Sequence, residues 1–189
     1  MKKILIAALC LSGASFGFDG HRKGFILGGG GGGSYTSYNQ EISGYTSPQE
    51  NAAGLGTDLY IGYGISDQFL LTYFANTNWF SLTNVYGNDV TIANGNAGLG
   101  VFYYFNHELV FSSPYLFGGI GWSGWSTPFE KNSGSMAGMG ATGGIGYEFA
   151  KHFSMQFNVF FTNPSEEDSG IKVQTNSVGF QVSFIALAY

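Results

Sequence analysis

The stretch Leu55-Gly-Thr-Asp-Leu-Tyr-Ile-Gly-Tyr-Gly-Ile65 places apolar side chains on one parity and glycine or polar side chains on the other. This period of two predicts a β-strand with one face in apolar surroundings. Ser66-Asp67 follows, and Gln68-Phe-Leu-Leu-Thr-Tyr73 continues as a second strand. Because parallel neighbours need a crossover of a dozen or more residues, a two-residue junction predicts an antiparallel hairpin.

The same hairpin occurs a second time, from Met139 to Val159, with Ala150-Lys151 at its junction. In both copies a tyrosine precedes the turn and a phenylalanine follows it: Tyr63 and Phe69 in the first, Tyr147 and Phe153 in the second. Aromatic rings at the ends of an apolar stripe are typical of a membrane interface. The two hairpins are therefore predicted to cross a membrane.

The composition also differs from that of a soluble domain. Charged residues make up 10% of the chain, aromatic residues 17%, and there are 31 glycines, whereas soluble proteins carry about 25% charged residues. Beyond the N-terminus there is no run of about 18 apolar residues, so no membrane-spanning helix is predicted. The chain has no basic patch, which excludes nucleic acid as a partner.

The first 17 residues have the features of a secretory signal peptide. Met1-Lys2-Lys3 is a charged start, Ile4–Leu11 is a short apolar run, and small residues follow up to Gly17. Cleavage there would leave one domain, residues 18–189, with 5 basic and 12 acidic residues and a net charge of −7. Removal of Cys10, the only cysteine, would leave no disulfide framework.

The rest of the chain divides into about eight strands. Connections 66–67, 106–113 and 150–151 are short, while 36–53, 81–93, 126–135 and 163–173 are longer and polar. Short periplasmic turns and longer external loops are the rule in outer-membrane barrels. The sequence therefore predicts an all-β fold, a transmembrane antiparallel up-and-down β-barrel of about eight strands with both chain ends on the periplasmic side.

These features resemble the small OmpA/OmpX-type outer-membrane β-barrels. The resemblance rests on the Gly-Tyr-x-x-turn-x-Phe hairpins, the strand Pro114-Tyr-Leu-Phe-Gly-Gly-Ile-Gly121 and the final aromatic Tyr189. It covers essentially all of residues 18–189 but includes no counterpart of a peptidoglycan-binding domain, so tethering of the cell wall is not expected. It implies a Gram-negative outer-membrane location, contact with lipid and lipopolysaccharide, and recognition of Tyr189 by the outer-membrane insertion machinery.

The last strand leaves the facing of Tyr189 open. Apolar residues occupy even positions from Val178 to Phe184 but odd positions at Ile185, Leu187 and Tyr189. A bulge near Phe184 would bring both sets to one face, because one extra residue reverses the facing of everything after it. Without the bulge, Tyr189 points inward.

The glycine run Gly28–Gly33 is not a phosphate-binding loop, since no Lys-Ser or Lys-Thr follows it. Glycine in a strand often marks the close approach of a neighbouring group. The run is therefore predicted to make room for inward rings such as Tyr60, Phe102 or Tyr104.

Two carboxylates, Asp58 and Glu148, are predicted to face the lumen, where an unpaired charge is costly. Arg22 and Lys23 are the nearest cationic candidates for Glu148. Asp58 has no such candidate and is left with water or with neutral donors: Asn94, Asn96, Asn158 or a tyrosine hydroxyl. Two interpretations follow, a hydrated structural carboxylate or part of a proton or cation pathway.

No catalytic residue, metal site or cofactor is predicted. His21, His107 and His152 all fall at predicted periplasmic positions and lack the spacing of a metal-binding pair. His152-Phe-Ser154 resembles the His-x-Ser pair of outer-membrane lipid A deacylases, but it lies at the wrong end of the barrel. A lipid A-modifying esterase is therefore only a remote alternative, and the protein is predicted not to be an enzyme.

Two function classes remain. The external loops carry an excess of acidic residues and are predicted to display a surface for extracellular contacts: Glu41, Glu50, Asp89, Glu130, Glu166, Glu167 and Asp168 against Lys131 and Lys172. The first class is a structural or surface-interaction protein with a filled lumen, and the alternative is a narrow pore or channel for small or apolar solutes. An eight-stranded barrel is only just wide enough to be filled by side chains. The inward aromatics favour a filled barrel: Phe74, Phe102, Tyr104, Phe117 and Phe160.

Overall fold

The computed structural model describes residues 21–83, 87–106, 112–131 and 134–189. These residues form nine antiparallel strands. They are β1 (Gly24–Ile42), β2 (Tyr45–Thr46), β3 (Glu50–Gly64), β4 (Phe69–Thr83), β5 (Asp89–Tyr104), β6 (Ser113–Ser126), β7 (Ser135–Ala150), β8 (Phe153–Asp168) and β9 (Ile171–Ala188). The predicted signal peptide, residues 1–17, and His107 lie outside the described residues. Within the described ranges no helix is long and apolar enough to cross a membrane.

The eight long strands close into a barrel. Neighbours along the chain pair with each other, and β1 also pairs with β9 from Leu27↔Ala188 to Ile42↔Val173. The two-residue strand β2 pairs with the outer end of β1. Closure gives every long strand two hydrogen-bonded neighbours. The backbone N–H and C=O groups are therefore hydrogen-bonded within the barrel, although lipid offers them no partners. The predicted all-β antiparallel barrel of about eight strands is confirmed.

The long strands extend further than the sequence predicted. They contain 14–19 residues, although about 9–11 are enough to cross a bilayer. Much of the predicted external loops is strand: β1 continues to Ile42, and only Ser169-Gly170 separates β8 from β9. Along β8 the outward face is apolar from Phe153 to Phe161 and polar from Asn163 onward. The prediction failed because the apolar alternation ends there, whereas the backbone pairing does not depend on it.

The two predicted hairpin junctions differ in detail from the structure. The first is a four-residue turn, 65–68, in which the Ile65 N–H donates to the Phe69 carbonyl oxygen at 2.9 Å. The second is the two-residue turn Lys151-His152, one position later than predicted. A register shift between Glu148 and Ala150 adds one residue to β7 and moves the turn, with His152 at a φ of 70°.

The last strand keeps one register throughout. Its pairing with β8 runs without a shift from Phe153↔Ala186 to Thr162↔Ser177. The bulge considered near Phe184 is therefore wrong, and Phe184 faces outward while Ile185, Leu187 and Tyr189 are buried in the interior. Hydrophobicity did not distinguish the two faces here, because this end of the barrel is apolar inside as well as outside.

Candidate functional site in the barrel interior

A buried ion pair lies at the end of the barrel where β1 begins and β9 ends. Arg22 is fully buried, and its Nη2 and Nε lie 3.0 and 3.1 Å from Oε2 of Glu148. The Tyr189 hydroxyl donates to the other carboxylate oxygen, Oε1, at 2.5 Å. The guanidinium carbon of Arg22 lies 3.9 Å from the centre of the Tyr104 ring. Both Glu148 oxygens are thus hydrogen-bonded, and its partner is one of the two cations considered from the sequence.

Above this pair, rings fill the cross-section. This lower aromatic cluster contains Tyr60, Phe74, Phe102, Tyr104, Tyr115 and Phe117, with Ile26, Leu70, Ile185, Leu187 and Tyr189 around them. The Phe102 and Phe117 ring centres are 4.6 Å apart, and Phe74 meets Phe117 edge to face at 5.4 Å. Edge-to-face and offset contacts are the arrangements that aromatic pairs prefer. All five aromatics predicted to face inward are buried in the barrel.

Inward glycines make room for several of these rings. A Cβ atom built at Gly100 would lie 2.7 Å from the Phe117 ring, and one at Gly179 would overlap the Phe160 ring. The prediction for the run Gly28–Gly33 is wrong in its partners. Gly28 and Gly30 lie against Leu187 and Ile185 of β9, because closure of the barrel makes β9 their neighbour.

Polar side chains occupy the next level of the interior. We call this level the polar layer; it comprises Thr36, Asp58, Asn76, Asn78, Asn94, Asn96, Gln156, Asn158, Thr162, Ser177, Gln181 and Ser183, all buried. Asp58 is 7% exposed. Its oxygens accept hydrogen bonds from Asn76 Nδ2 at 2.5 Å and from Gln181 Nε2 at 2.7 Å. The structure therefore places both predicted lumen carboxylates inside the barrel, in different surroundings.

Of the neutral partners considered for Asp58 from the sequence, a tyrosine hydroxyl, that of Tyr60, does hydrogen-bond with it, whereas Asn94 and Asn96 have other partners. Asn94 Nδ2 donates to Ser177 Oγ, and Asn96 Nδ2 donates to two backbone carbonyl oxygens. Asn76 was missed, although it lies directly opposite Asp58 in the β3–β4 pairing. The predicted junction at Ser66-Asp67 would have set Ala75 opposite Asp58, and the observed turn at 65–68 shifts the pairing by one residue to Asn76. Gln181 could be found only from the closed barrel.

The polar layer has a surplus of hydrogen-bond acceptors. Four buried amide oxygens have no partner within the described part of the chain: Asn76 Oδ1, Asn78 Oδ1, Asn96 Oδ1 and Gln181 Oε1. In this layer only one amide nitrogen, Nδ2 of Asn158, is in the same condition among the described residues. Because buried polar groups are normally hydrogen-bonded, this imbalance requires an explanation.

A second group of rings closes the outer end of the interior. This upper aromatic cluster consists of Tyr38, Phe80, Ile92 and Trp125. The Trp125 ring lies 5.0 Å from Tyr38 and 5.5 Å from Phe80, between ring centres. The sequence analysis missed the cluster, because these residues fall at or beyond the predicted strand ends. The inward parity of β4, continued from Phe74 to Phe80, was the signal that could have revealed it.

Comparison with known proteins gives the fold a wider context. No family model and no curated protein sequence matches the chain. The outer membrane protein OprG from Pseudomonas aeruginosa superposes with a TM-score of 0.52 at 13% identity, over 89% of this chain and 98% of OprG. Outer membrane protein AlkL, solved in DMPC lipid bilayers, gives a TM-score of 0.50 at 13% identity, over 88% of this chain and 91% of AlkL. The chain has the fold of a small outer-membrane β-barrel.

The wall of this small outer-membrane barrel is weakened at one place. The β8–β9 ladder lacks pairs at Asn163 and Pro164, where the proline has no N–H to donate. A groove of about 680 Å³ lies across this part of the wall. Its lining includes Met139 and Phe161, whose side chains are exposed, as well as the buried Thr162.

The other side chains that were considered from the sequence for metal binding or catalysis do not come together at one site. His152 Nδ1 lies 3.0 Å from the Leu187 carbonyl oxygen, and its ring packs on Tyr189. Ser154 faces the interior, with its hydroxyl 3.0 Å from that of Tyr115. His21 Nδ1 lies 3.2 Å from an oxygen of Asp67. Each of these polar groups thus has a structural partner.

Most of the acidic residues predicted for external loops lie on strand ends. Glu41 is in β1, Glu50 is in β3, and Glu166 and Glu167 are in β8. Glu50 accepts a hydrogen bond from the Tyr38 hydroxyl at 2.5 Å. The prediction that these residues lie in loops was wrong because the strands are longer than expected. Their ends hold these carboxylates beyond the apolar band.

Proposed function

We propose that the protein is an integral outer-membrane barrel with a structural and surface-contact role, and that its lumen does not conduct. The observation that carries this proposal is the pair of aromatic clusters, one below and one above the polar layer. Each consists of buried rings in mutual contact. A solute moving along the barrel axis would have to displace rings from both clusters.

The energetics support a closed lumen. Removing one buried Phe or Trp side chain from a packed core costs about 3–5 kcal/mol. Displacing several rings at once is therefore rare at equilibrium, and the Arg22–Glu148 pair adds a third barrier at the base. The outward apolar residues anchor the wall in lipid, and the polar strand ends beyond them form the contact surface.

Conductance of purified protein in a planar bilayer tests this proposal. We expect no steady current for the wild type. Substituting Phe102, Phe117 and Trp125 together by alanine should thin both clusters and produce channels. The matched control replaces Phe157, Phe161 and Phe180, three exposed rings of the outer wall, and should stay silent if it inserts. Reproducible wild-type channels would refute the filled lumen.

A second candidate function, passage of small apolar solutes through the wall, is favoured by the groove that is lined by Asn163 and lies beside the break in the β8–β9 ladder. The groove joins exposed apolar side chains to the buried Thr162 and Ser177 at a gap in the ladder. Such a route would carry apolar molecules without axial ion current. Uptake of an apolar fluorophore into proteoliposomes should then fall in Pro164→Ala, which restores an N–H, and should be unchanged in Pro114→Ala. Equal uptake by proteoliposomes and protein-free liposomes would eliminate this candidate.

A further inference from the structure

We propose that the polar layer binds one alkali metal cation beside Asp58. The carboxylate is buried, its hydrogen-bond partners are all neutral (the amides of Asn76 and Gln181 and the hydroxyls of Tyr60 and Ser183), and oxygen atoms on those amides are unsatisfied. The sequence analysis predicted no metal site, because the donors come from three different strands. The proposal is independent of whether solutes pass through the wall.

Charge is the first argument. The polar layer holds the Asp58 carboxylate, and its described residues include no Lys or Arg. The guanidinium of Arg22 is bonded to Glu148 at the base, below the lower aromatic cluster. Four neutral hydrogen-bond partners stabilise the carboxylate but leave its charge, which is costly to bury, unbalanced. A compensating positive charge in the layer would remove that cost.

The unsatisfied oxygens are the second argument. Asn76 is completely buried and Gln181 is 1% exposed. Each amide donates through its nitrogen to the Asp58 carboxylate, and the oxygen of each amide has no hydrogen-bond partner among the described residues. Ser183 Oγ, 2.7 Å from Gln181 Nε2, adds a further oxygen nearby. The two amide oxygens cannot satisfy each other, because carbonyl oxygens only accept, whereas the Ser183 hydroxyl can donate and is a hydrogen-bond partner of Asp58.

The ligand chemistry selects the class of cation. Carboxylate and amide oxygens suit hard cations, and carbonyl oxygens can replace the hydration shell of an alkali ion. Calcium sites use six to eight oxygens with several carboxylates. No three His, Cys, Asp or Glu side chains come together anywhere in the described ranges. One carboxylate balances one monovalent charge, so the site fits an alkali cation.

Thermal unfolding of the full barrel in a neutral detergent provides the test. The melting temperature is measured with sodium, potassium or lithium chloride and with N-methylglucamine chloride at equal ionic strength. A cation that binds only the folded state stabilises it by mass action. We expect the wild type to melt higher in at least one alkali chloride, with a saturable concentration dependence, and Asp58→Asn to lose that dependence. Glu166→Gln, which removes an exposed carboxylate, should respond as the wild type does.

Two results would overturn the proposal. Equal melting temperatures of the wild type in all four chlorides would mean that water alone satisfies the layer. An equal alkali response in Asp58→Asn would assign the effect to surface charge. If Asp58→Asn does not fold, NMR of the alkali nucleus whose chloride raised the melting temperature of the wild type decides the question. Folded protein should broaden that signal more than the same sample after heat unfolding, and equal line widths would reject the site.

Discussion

The base of the barrel and its polar layer solve the same electrostatic problem differently. Glu148 and Asp58 are both buried carboxylates. Glu148 has the guanidinium of Arg22 and the hydroxyl of Tyr189, whereas Asp58 has only neutral partners, two amides and two hydroxyls, with unsatisfied oxygens on the amides. Arg22 precedes β1, and its buried guanidinium packs on the Tyr104 ring at the lower side of the aromatic cluster. The contrast shows that a filled barrel can pair a charge near its rim more easily than in its middle.

Breaking the ion pair at the base should have the largest effect. Arg22→Met leaves the Glu148 carboxylate buried without its cation, which costs about 3–5 kcal/mol. Urea unfolding of the refolded barrel in detergent measures the loss. The control is Lys23→Met, which removes a neighbouring exposed charge and should change stability little. Equal losses in the two variants would contradict the role given to the pair.

The comparison also depends on which face of each strand is inside. Met155 is 44% exposed and lies in the apolar stretch of β8. Met155→Arg should reduce the free energy of unfolding in lipid vesicles by about 2–4 kcal/mol, because charge is unfavourable at mid-membrane. Ser165→Arg, on the same face of the same strand but in its polar part, should cost much less. A similar cost at both positions would show that Met155 does not face lipid.

The contributions of the Tyr189 hydroxyl and of the Tyr189 ring can be tested with separate substitutions. Tyr189→Phe removes the hydrogen bond to Glu148, worth about 1.5–3 kcal/mol for a charged partner, and retains the aromatic terminus. We expect lower stability in urea but normal assembly in cells, whereas Tyr189→Ala should also reduce assembly if the ring is the insertion signal. Normal assembly of Tyr189→Ala would remove that role.

The smallest effect is expected at Asp58. Asp58→Asn replaces a buried charge with a neutral group of the same shape, and the new amide can donate to an unsatisfied oxygen of the layer. In alkali-free buffer the stability should change by less than about 1 kcal/mol, since removing an uncompensated charge offsets the altered hydrogen bonds. Glu148→Gln removes the carboxylate that pairs with Arg22, and it should reduce the free energy of unfolding several times more. A larger loss of stability in Asp58→Asn than in Glu148→Gln would contradict the contrast between the two carboxylates.

The sequence was sufficient to predict the barrel and its inward aromatics. The alternation around Tyr60 and Phe74 depends on the two-residue period of a strand, and the short junctions depend on hairpin geometry. Both are local, so they can be predicted without a structure. The pairing of Asn76 with Asp58 could not be predicted in this way, because the observed turn at 65–68 shifts the β3–β4 register by one residue from that of the predicted two-residue junction.

Tertiary structure alone decided which groups meet across the barrel. Gln181 reaches Asp58, Arg22 reaches Glu148, and Gly28 lies against Leu187. These contacts depend on the closure of β1 against β9 and on the stagger of the strands. The unbroken register of β9 was decided in the same way, because its inner residues pack into a lower cluster supplied by other strands. Local alternation determines that a side chain points inward, but the register of the closed sheet determines which side chains it meets.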